Sequence, residues 1–423
     1  MQTESIGYLD LLRENRNFRY LWLGQIVSLF GDWFNLIASA ALISNLTDSG
    51  LAVGGLFIVR MLAPFFVSPI AGVAADRFNR KQLLIITDIT RALVVLGFLF
   101  VRDADDIWLL YALTAVQMAI SGFFFPTRNA ILPDVVDNKE LGAANALGSA
   151  TWSIMLALGA AMGGVVAGGW GIYPAFVIDS ATFILSALIL AGIHYIPTTD
   201  LKKAGGNLLS ALNQYTEGLR YLVRNKDVLI ISLQKGAIAL AVSGGFQIIQ
   251  VILTEKVYVI GGGGGISLGI MYAVAGVGTG IGPIVTRRFT GNQSHLLRLA
   301  IGLAYLICII GLLIIAPLWG FVAVLLGSFL RAIATGINWV FSTQLLLQIV
   351  PSKIRGRVFS TEFAFFTLAN AIGTAASGWI LDNTMVSLSG LIFMMALITI
   401  IPGIFWGWWN VMGRKKTESV GGI

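Results

Sequence analysis

Charged side chains interrupt long apolar runs in this 423-residue chain, among them Asp32, Arg60, Lys235 and Glu362. An ionisable group inside a bilayer-spanning helix costs about 2.5–3.5 kcal/mol on insertion scales, so each needs a compensating role. Carboxylates and bases at matched depth can do two things. They can bind and release a proton as their pairing changes, or they can lock two helices together as a static ion pair. Counted from the cytoplasmic end of its run at 1.5 Å per residue, Asp32 lies roughly 21 Å deep and Arg60 roughly 23 Å. The two are therefore expected to pair across adjacent antiparallel helices. Lys235 and Glu362 each lie about 10 Å deep and form a candidate second pair. Asp32 is the expected protonation site, with a structural ion pair as the competing reading. Asp88 and Arg91, three residues apart, are expected to pair locally. Polar and aromatic residues at similar depths (Trp33, Asn35, Gln117, Arg331, Asn338 and Trp339) are candidates for a substrate cavity. Buried Arg331 and Lys235 would favour an anionic or carbonyl-rich substrate.

The elements holding these residues follow from composition. Hydrophobic residues make up 57% of the chain and charged residues 12%, with a mean hydropathy of +0.83. Soluble domains carry about twice that share of charge. Apolar stretches long enough to cross a bilayer number twelve: 18–44, 51–75, 82–101, 107–127, 141–168, 172–195, 228–254, 264–286, 295–316, 318–342, 355–381 and 387–411. The expected fold is an all-α membrane protein with twelve transmembrane helices in two six-helix bundles, over 1–195 and 228–423. The polar stretch 196–227 joins them; its Leu208, Leu212, Tyr215, Leu219 and Leu222 fall on one face of an amphipathic helix. A shift of 214 residues superposes Gly122 on Gly336, Lys139 on Lys353, Gly142 on Gly356 and Gly164 on Gly378. One constant offset indicates a duplicated six-helix unit, and parallel halves of this kind share a site near the midplane.

Charge placement sets orientation. With the N-terminus inside, twenty-two of the 28 Lys and Arg residues face the cytoplasm, two face outward and four lie within spans. The expectation is a multi-pass protein of the inner (plasma) membrane with both termini cytoplasmic. The net charge of +7 is spread over short loops, which argues against a nucleic-acid partner; membrane lipid is the expected surroundings, and the chain is expected to be monomeric. Cys308 is the single cysteine, and His194 and His295 are far apart, so neither disulfides nor a metal site are expected. The polar first 17 residues lack a signal-peptide core. Trp406, Trp408 and Trp409 read as an interfacial belt.

Three motifs add a resemblance. Gly72, Asp76, Arg77, Arg80 and Lys81, within GVAADRFNRKQLL, resemble the cytoplasmic loop signature of the major facilitator superfamily, with Asn79 where the pattern has glycine. LGAAMGGVV, with Gly159, Gly163 and Gly164, resembles the superfamily's antiporter motif, with Ala160 in place of proline. FFFPTRNAILPDVVDNKELGAANAL, FRYLWLGQIVSLFGDWF, GLRYLVRNKD and RGRVFS resemble segments of the branch holding macrolide-efflux proteins and the enterobactin exporter. The resemblance implies the major facilitator fold, a gate formed by the loop from Gly72 to Lys81, and alternating-access export of an amphipathic small molecule (drug, macrolide or siderophore). Proton antiport would supply the energy, with no cofactor. The fourth span has Gln117 where drug antiporters often have an arginine. No phosphate-binding GxxxxGK[ST] loop occurs, and no catalytic constellation marks an enzyme. A lipid or lysolipid transporter is the alternative within transport, and a non-transporting sensor or scaffold the alternative outside it.

Overall fold

The computed structural model describes residues 8–47, 49–137, 140–194, 219–291, 293–351 and 355–413. Among them there is no strand. A short helix, α1 (Tyr8–Glu14), precedes six long ones: α2 (Arg16–Leu46), α3 (Gly50–Arg77), α4 (Arg80–Leu96), α5 (Ile107–Val135), α6 (Leu141–Gly169) and α7 (Ile172–Ala191). The second series is α8 (Lys226–Ile238) continuing through a π-turn into α9 (Gly244–Ile252), then α10 (Gly265–Thr290), α11 (Ser294–Ile315), α12 (Phe321–Ile349), α13 (Arg355–Asn383) and α14 (Leu388–Trp408). Eleven described helical stretches are long and apolar enough to cross a membrane, with α8 and α9 forming one of them; α6 adds a shorter apolar stretch, Ile154–Gly169. Most of the expected amphipathic linker, including Leu208, Leu212 and Tyr215, lies outside the described residues; Leu222 at its end is buried.

The internal repeat extends to the helices. α12 and α13 each begin and end 214 residues after α5 and α6. By packing, the chain forms two compact units, one comprising residues 1–213 with 251–273 and the other 214–250 with 274–423.

In the first unit α2 is the central helix, buried along much of its length and packed mainly on α7 and α6. Small residues let those backbones approach, which is how helices associate where lipid removes the hydrophobic drive. A methyl group at Gly163 would lie 3.0 Å from Phe34 and 3.2 Å from Ile37. In the second unit, Gly311 of α11 and Gly327 of α12 bring those helices into backbone contact; a methyl at Gly311 would sit 2.6 Å from the Gly327 carbonyl.

The N-terminal ends of α8 and α11 and the C-terminal end of α14 are clasped by polar bonds. Arg298 donates to both carboxylate oxygens of Asp227, at 2.9 and 2.5 Å, and Trp409 Nε1 donates to Asp227 at 3.1 Å. Trp406 Nε1 donates to the Arg298 carbonyl at 2.9 Å, and Trp406 is only 1% exposed. The expected belt is thus split: Trp408 is 51% exposed, whereas Trp406 is a core residue. A helix end brings side chains to every azimuth, and spacing alone did not separate them.

Candidate functional site

The first unit holds a chain of buried charges from α2, α3, α4 and α7. Arg91 of α4 is its hub. One guanidinium nitrogen, Nη2, donates to Asp88 Oδ1 and, at 2.9 Å, to Ser28 Oγ of α2; Nη1 lies 3.4 Å from Asp32 Oδ2. The guanidinium also covers the Phe183 ring at 4.1 Å and the Phe124 ring at 4.9 Å. Ser186 Oγ of α7 donates to Asp88 Oδ2 at 2.6 Å, so both Asp88 oxygens are satisfied.

The expected pairing of Asp32 with Arg60 appears as an electrostatic neighbourhood, each within reach of the other, while the ion-pair contact of Asp32 among the described residues is with Arg91. Asp32 faces Arg91, while Arg60 Nη1 contacts Asn35 Oδ1 at 3.4 Å. Depth along a helix is readable from residue counting, but azimuth decides the partner. α2 packs only lightly on α3, and the long side chain of Arg91 spans the gap from α4. Asp88 and Arg91 do pair at the i,i+3 spacing.

Asp179 on α7 was not singled out by sequence reasoning. It is 0% exposed, lies within electrostatic reach of Asp32, Arg91 and Arg60, and faces α2 where Gly31 leaves room. The signal was present, because Asp179 is a carboxyl in the middle of an apolar span.

In the second unit Lys235 Nζ lies 3.0 Å from Glu362 Oε1, donates to Thr343 Oγ1 at 2.7 Å and sits 4.5 Å from the Trp339 ring centroid. Trp339 makes an edge contact with Phe366 at 5.0 Å and is partly exposed. Ammonium, carboxylate, hydroxyl and aromatic face thus converge from α8, α12 and α13. Nearby, Tyr305 donates to Gln234 at 2.7 Å, and the Arg331 guanidinium lies 4.0 Å over Phe246.

The remaining cavity candidates fall in two groups. Trp33 lies 5.4 Å from Tyr272 with the rings tilted by 58°, and it fills the notch at Gly159, where a methyl would stand 2.7 Å from its ring. Asn35, Gln117 and Asn338 are fully buried between helices. Gln117, at the position matching Arg331, makes no side-chain hydrogen bond of ordinary geometry among the described residues.

Of the loop signature, Gly72, Asp76 and Arg77 fall in the last turns of α3, and their side chains lie outside the described residues. Arg80 pairs with Asp134 of α5 at 2.7 Å, and Lys81 occupies the first turn of α4. Asn79, which departs from the pattern, has a structural role: its side chain accepts from Gln82 N at 3.1 Å and caps α4. Gly164 of the antiporter-like motif opposes α10 backbone to backbone; a methyl there would stand 2.7 Å from Gly269 Cα.

Comparison with known proteins agrees with this architecture. The family model described as Major Facilitator Superfamily matches residues 21–360. An uncharacterised MFS-type transporter of Bacillus subtilis, YfiS, is 28% identical, covering 97% of this chain and 96% of its own. The putative bacilysin exporter of the same organism is 24% identical over 92% of this chain and 93% of its own. Macrolide efflux protein A of Streptococcus pyogenes is 21% identical over 90% and 94%. A bacterial homologue of the lysosomal transporter Spinster shares the fold, with a TM-score of 0.72 and 18% identity over 94% of this chain and 97% of its own. With the family model spanning most of a chain of membrane-crossing helices, the protein belongs to the Major Facilitator Superfamily and is a multi-pass membrane transporter, not an enzyme.

Proposed function

We propose that the protein is a secondary active exporter of amphipathic small molecules in the cytoplasmic membrane, driven by proton antiport through alternating access. Both termini lie on the cytoplasmic side, as the distribution of Lys and Arg favours. The observation that carries the coupling is the Arg91 hub. Asp32 keeps one oxygen on Arg91 and leaves Oδ1 without a hydrogen bond among the described residues, and its side chain is 19% exposed where Asp88 is fully buried. A carboxylate held by a single long contact can exchange its arginine for a proton; a fully satisfied one such as Asp88 cannot do so cheaply. Export as the direction is supported by the similarity to a putative bacilysin exporter and a macrolide efflux protein. Lys235, framed by Thr343 and Trp339, supports a substrate with an acidic or carbonyl-rich group beside an apolar body.

Everted membrane vesicles with an imposed pH gradient test this reading. A panel of labelled macrolides, small peptides, siderophores and lysolipids is offered, with and without a protonophore. Accumulation of an amphipathic compound that collapses with the gradient is the expected result. Uptake indifferent to the protonophore would remove proton coupling, and uptake restricted to lysolipids would establish lipid transport instead.

A further inference from the structure

We propose that Asp179 carries the bound proton of the first bundle and exchanges it through Asp32 under the control of Arg91. Three carboxyls and two guanidiniums meet there. Asp179 on α7 lies within electrostatic reach of Asp32 from α2, Arg60 from α3 and Arg91 from α4, and Asp88 of α4 is bound to that same Arg91; α6 (Leu141–Gly169) contributes no ionisable residue. With every group ionised the cluster holds three negative and two positive charges, a net buried anion. A low-dielectric interior removes such a charge by proton uptake.

Geometry places that proton. Asp88 has both oxygens engaged, by Arg91 and by Ser186. Asp32 has one oxygen facing Arg91 at 3.4 Å. Asp179 is completely buried, and neither of its oxygens accepts a hydrogen bond of ordinary geometry among the described residues, the Asn35 carboxamide being its neighbouring donor group. A carboxylate so short of donors is the costliest of the three to ionise, so it is the one that stays a neutral acid. The space it points into is kept open by the sequence: a methyl at Gly31 would stand 2.5 Å from Asp179 Oδ1.

The exchange balances. The Asp179 O–H gives its proton to the Asp32 carboxylate as Arg91 turns from Asp32 towards the newly formed Asp179 carboxylate. Asp32, the more exposed of the two, then releases the proton to water. One proton leaves, and the cluster carries one more negative charge until it is refilled. The role in transport rests on the antiport reading above; the bound proton does not.

Infrared difference spectroscopy on the purified protein reads the proton directly, since only a protonated carboxyl shows the carboxylic C=O stretch. Wild type at neutral pH should show a component of that band which Asp179→Asn lacks. Absence of the band in wild type, or a band unchanged in Asp179→Asn, overturns the proposal. Vesicles loaded with a labelled macrolide supply the second measurement. In Asp179→Asn, gradient-free exchange should persist while gradient-driven accumulation falls at least tenfold; unchanged accumulation overturns the relay. If wild type keeps the band but its accumulation ignores the gradient, the antiport reading fails and, with it, the transport role of Asp179, which is then a fixed neutral acid.

Discussion

Arg91 stands 3.4 Å from Asp32 and at the same time binds Asp88, so one guanidinium serves two buried carboxylates on different helices. Removing one partner of a buried pair is costly because the remaining charge is left uncompensated, typically by about 3–5 kcal/mol. Arg91→Ala is therefore expected to lower the melting midpoint in detergent more than Arg60→Ala, since Arg91 bonds Asp88 and Ser28 directly, whereas Arg60 reaches Asp32 and Asp179 through space and Asn35 at 3.4 Å. Arg91→Lys should recover part of the loss, because an ammonium keeps the charge but not the planar fork. Equal losses for Arg91→Ala and Arg60→Ala would show that Arg91 is not the hub.

Asn79 offers a smaller and cleaner test. Its side chain caps α4 by accepting from Gln82 N. Replacing an Asn cap with Ala costs about 0.5–2 kcal/mol, whereas Gly costs only a few tenths. Asn79→Gly, which restores the residue of the general superfamily pattern, should melt close to wild type, and Asn79→Ala should melt lower. The reverse order would mean that the family glycine is needed for a different turn.

Gly164 and Gly169 stand five residues apart on α6 and differ in what they pack against. A methyl at Gly164 would stand 2.7 Å from Gly269 Cα and 3.0 Å from Gly269 N, and backbone cannot move aside as a side chain can. A methyl at Gly169 would meet nothing within 4 Å. Gly164→Val is expected to lower thermal stability and transport together, with over-packing costing about 1–3 kcal/mol. Gly169→Ala should stay within roughly 0.5 kcal/mol of wild type. A neutral Gly164→Val would mean that α6 and α10 do not meet as closely as they stand here.

These contrasts show where the sequence was readable and where it stopped. Helix positions followed from hydropathy, although α5 and α12 run on to Val135 and Ile349, past apolar runs ending at 127 and 342. The duplication was visible because α12 and α13 repeat α5 and α6 at the same 214-residue offset. Lys235 and Glu362 could be matched by depth because each helix has a fixed rise. Asp32 could not, because its partner depends on how α2 and α4 are turned about their axes, and no spacing in either helix reports that. Asp179 was missed although the cost of burying a carboxyl marks it as clearly as Asp32. Gly31, which makes its place, gives no hint of that from sequence.

The pair of Lys235 and Glu362 separates stability from recognition. Lys235 is held by Glu362 at 3.0 Å and Thr343 at 2.7 Å, with the Trp339 ring above it. If the pair only locks α8 to α13, Lys235→Met and Glu362→Gln should each destabilise, and Lys235→Met/Glu362→Met should recover, since a buried ion pair is often replaceable by apolar residues of similar volume. The double-mutant cycle should show a coupling of about 0.5–3 kcal/mol. If Lys235 also receives the substrate's acidic group, the stable double variant should still fail to carry acidic compounds. A tenfold fall in their apparent affinity, about 1.4 kcal/mol, beside unchanged handling of neutral compounds is the expected split. A double variant that folds and carries both classes equally would leave Lys235 a structural residue and direct the search for the anion site to Arg331.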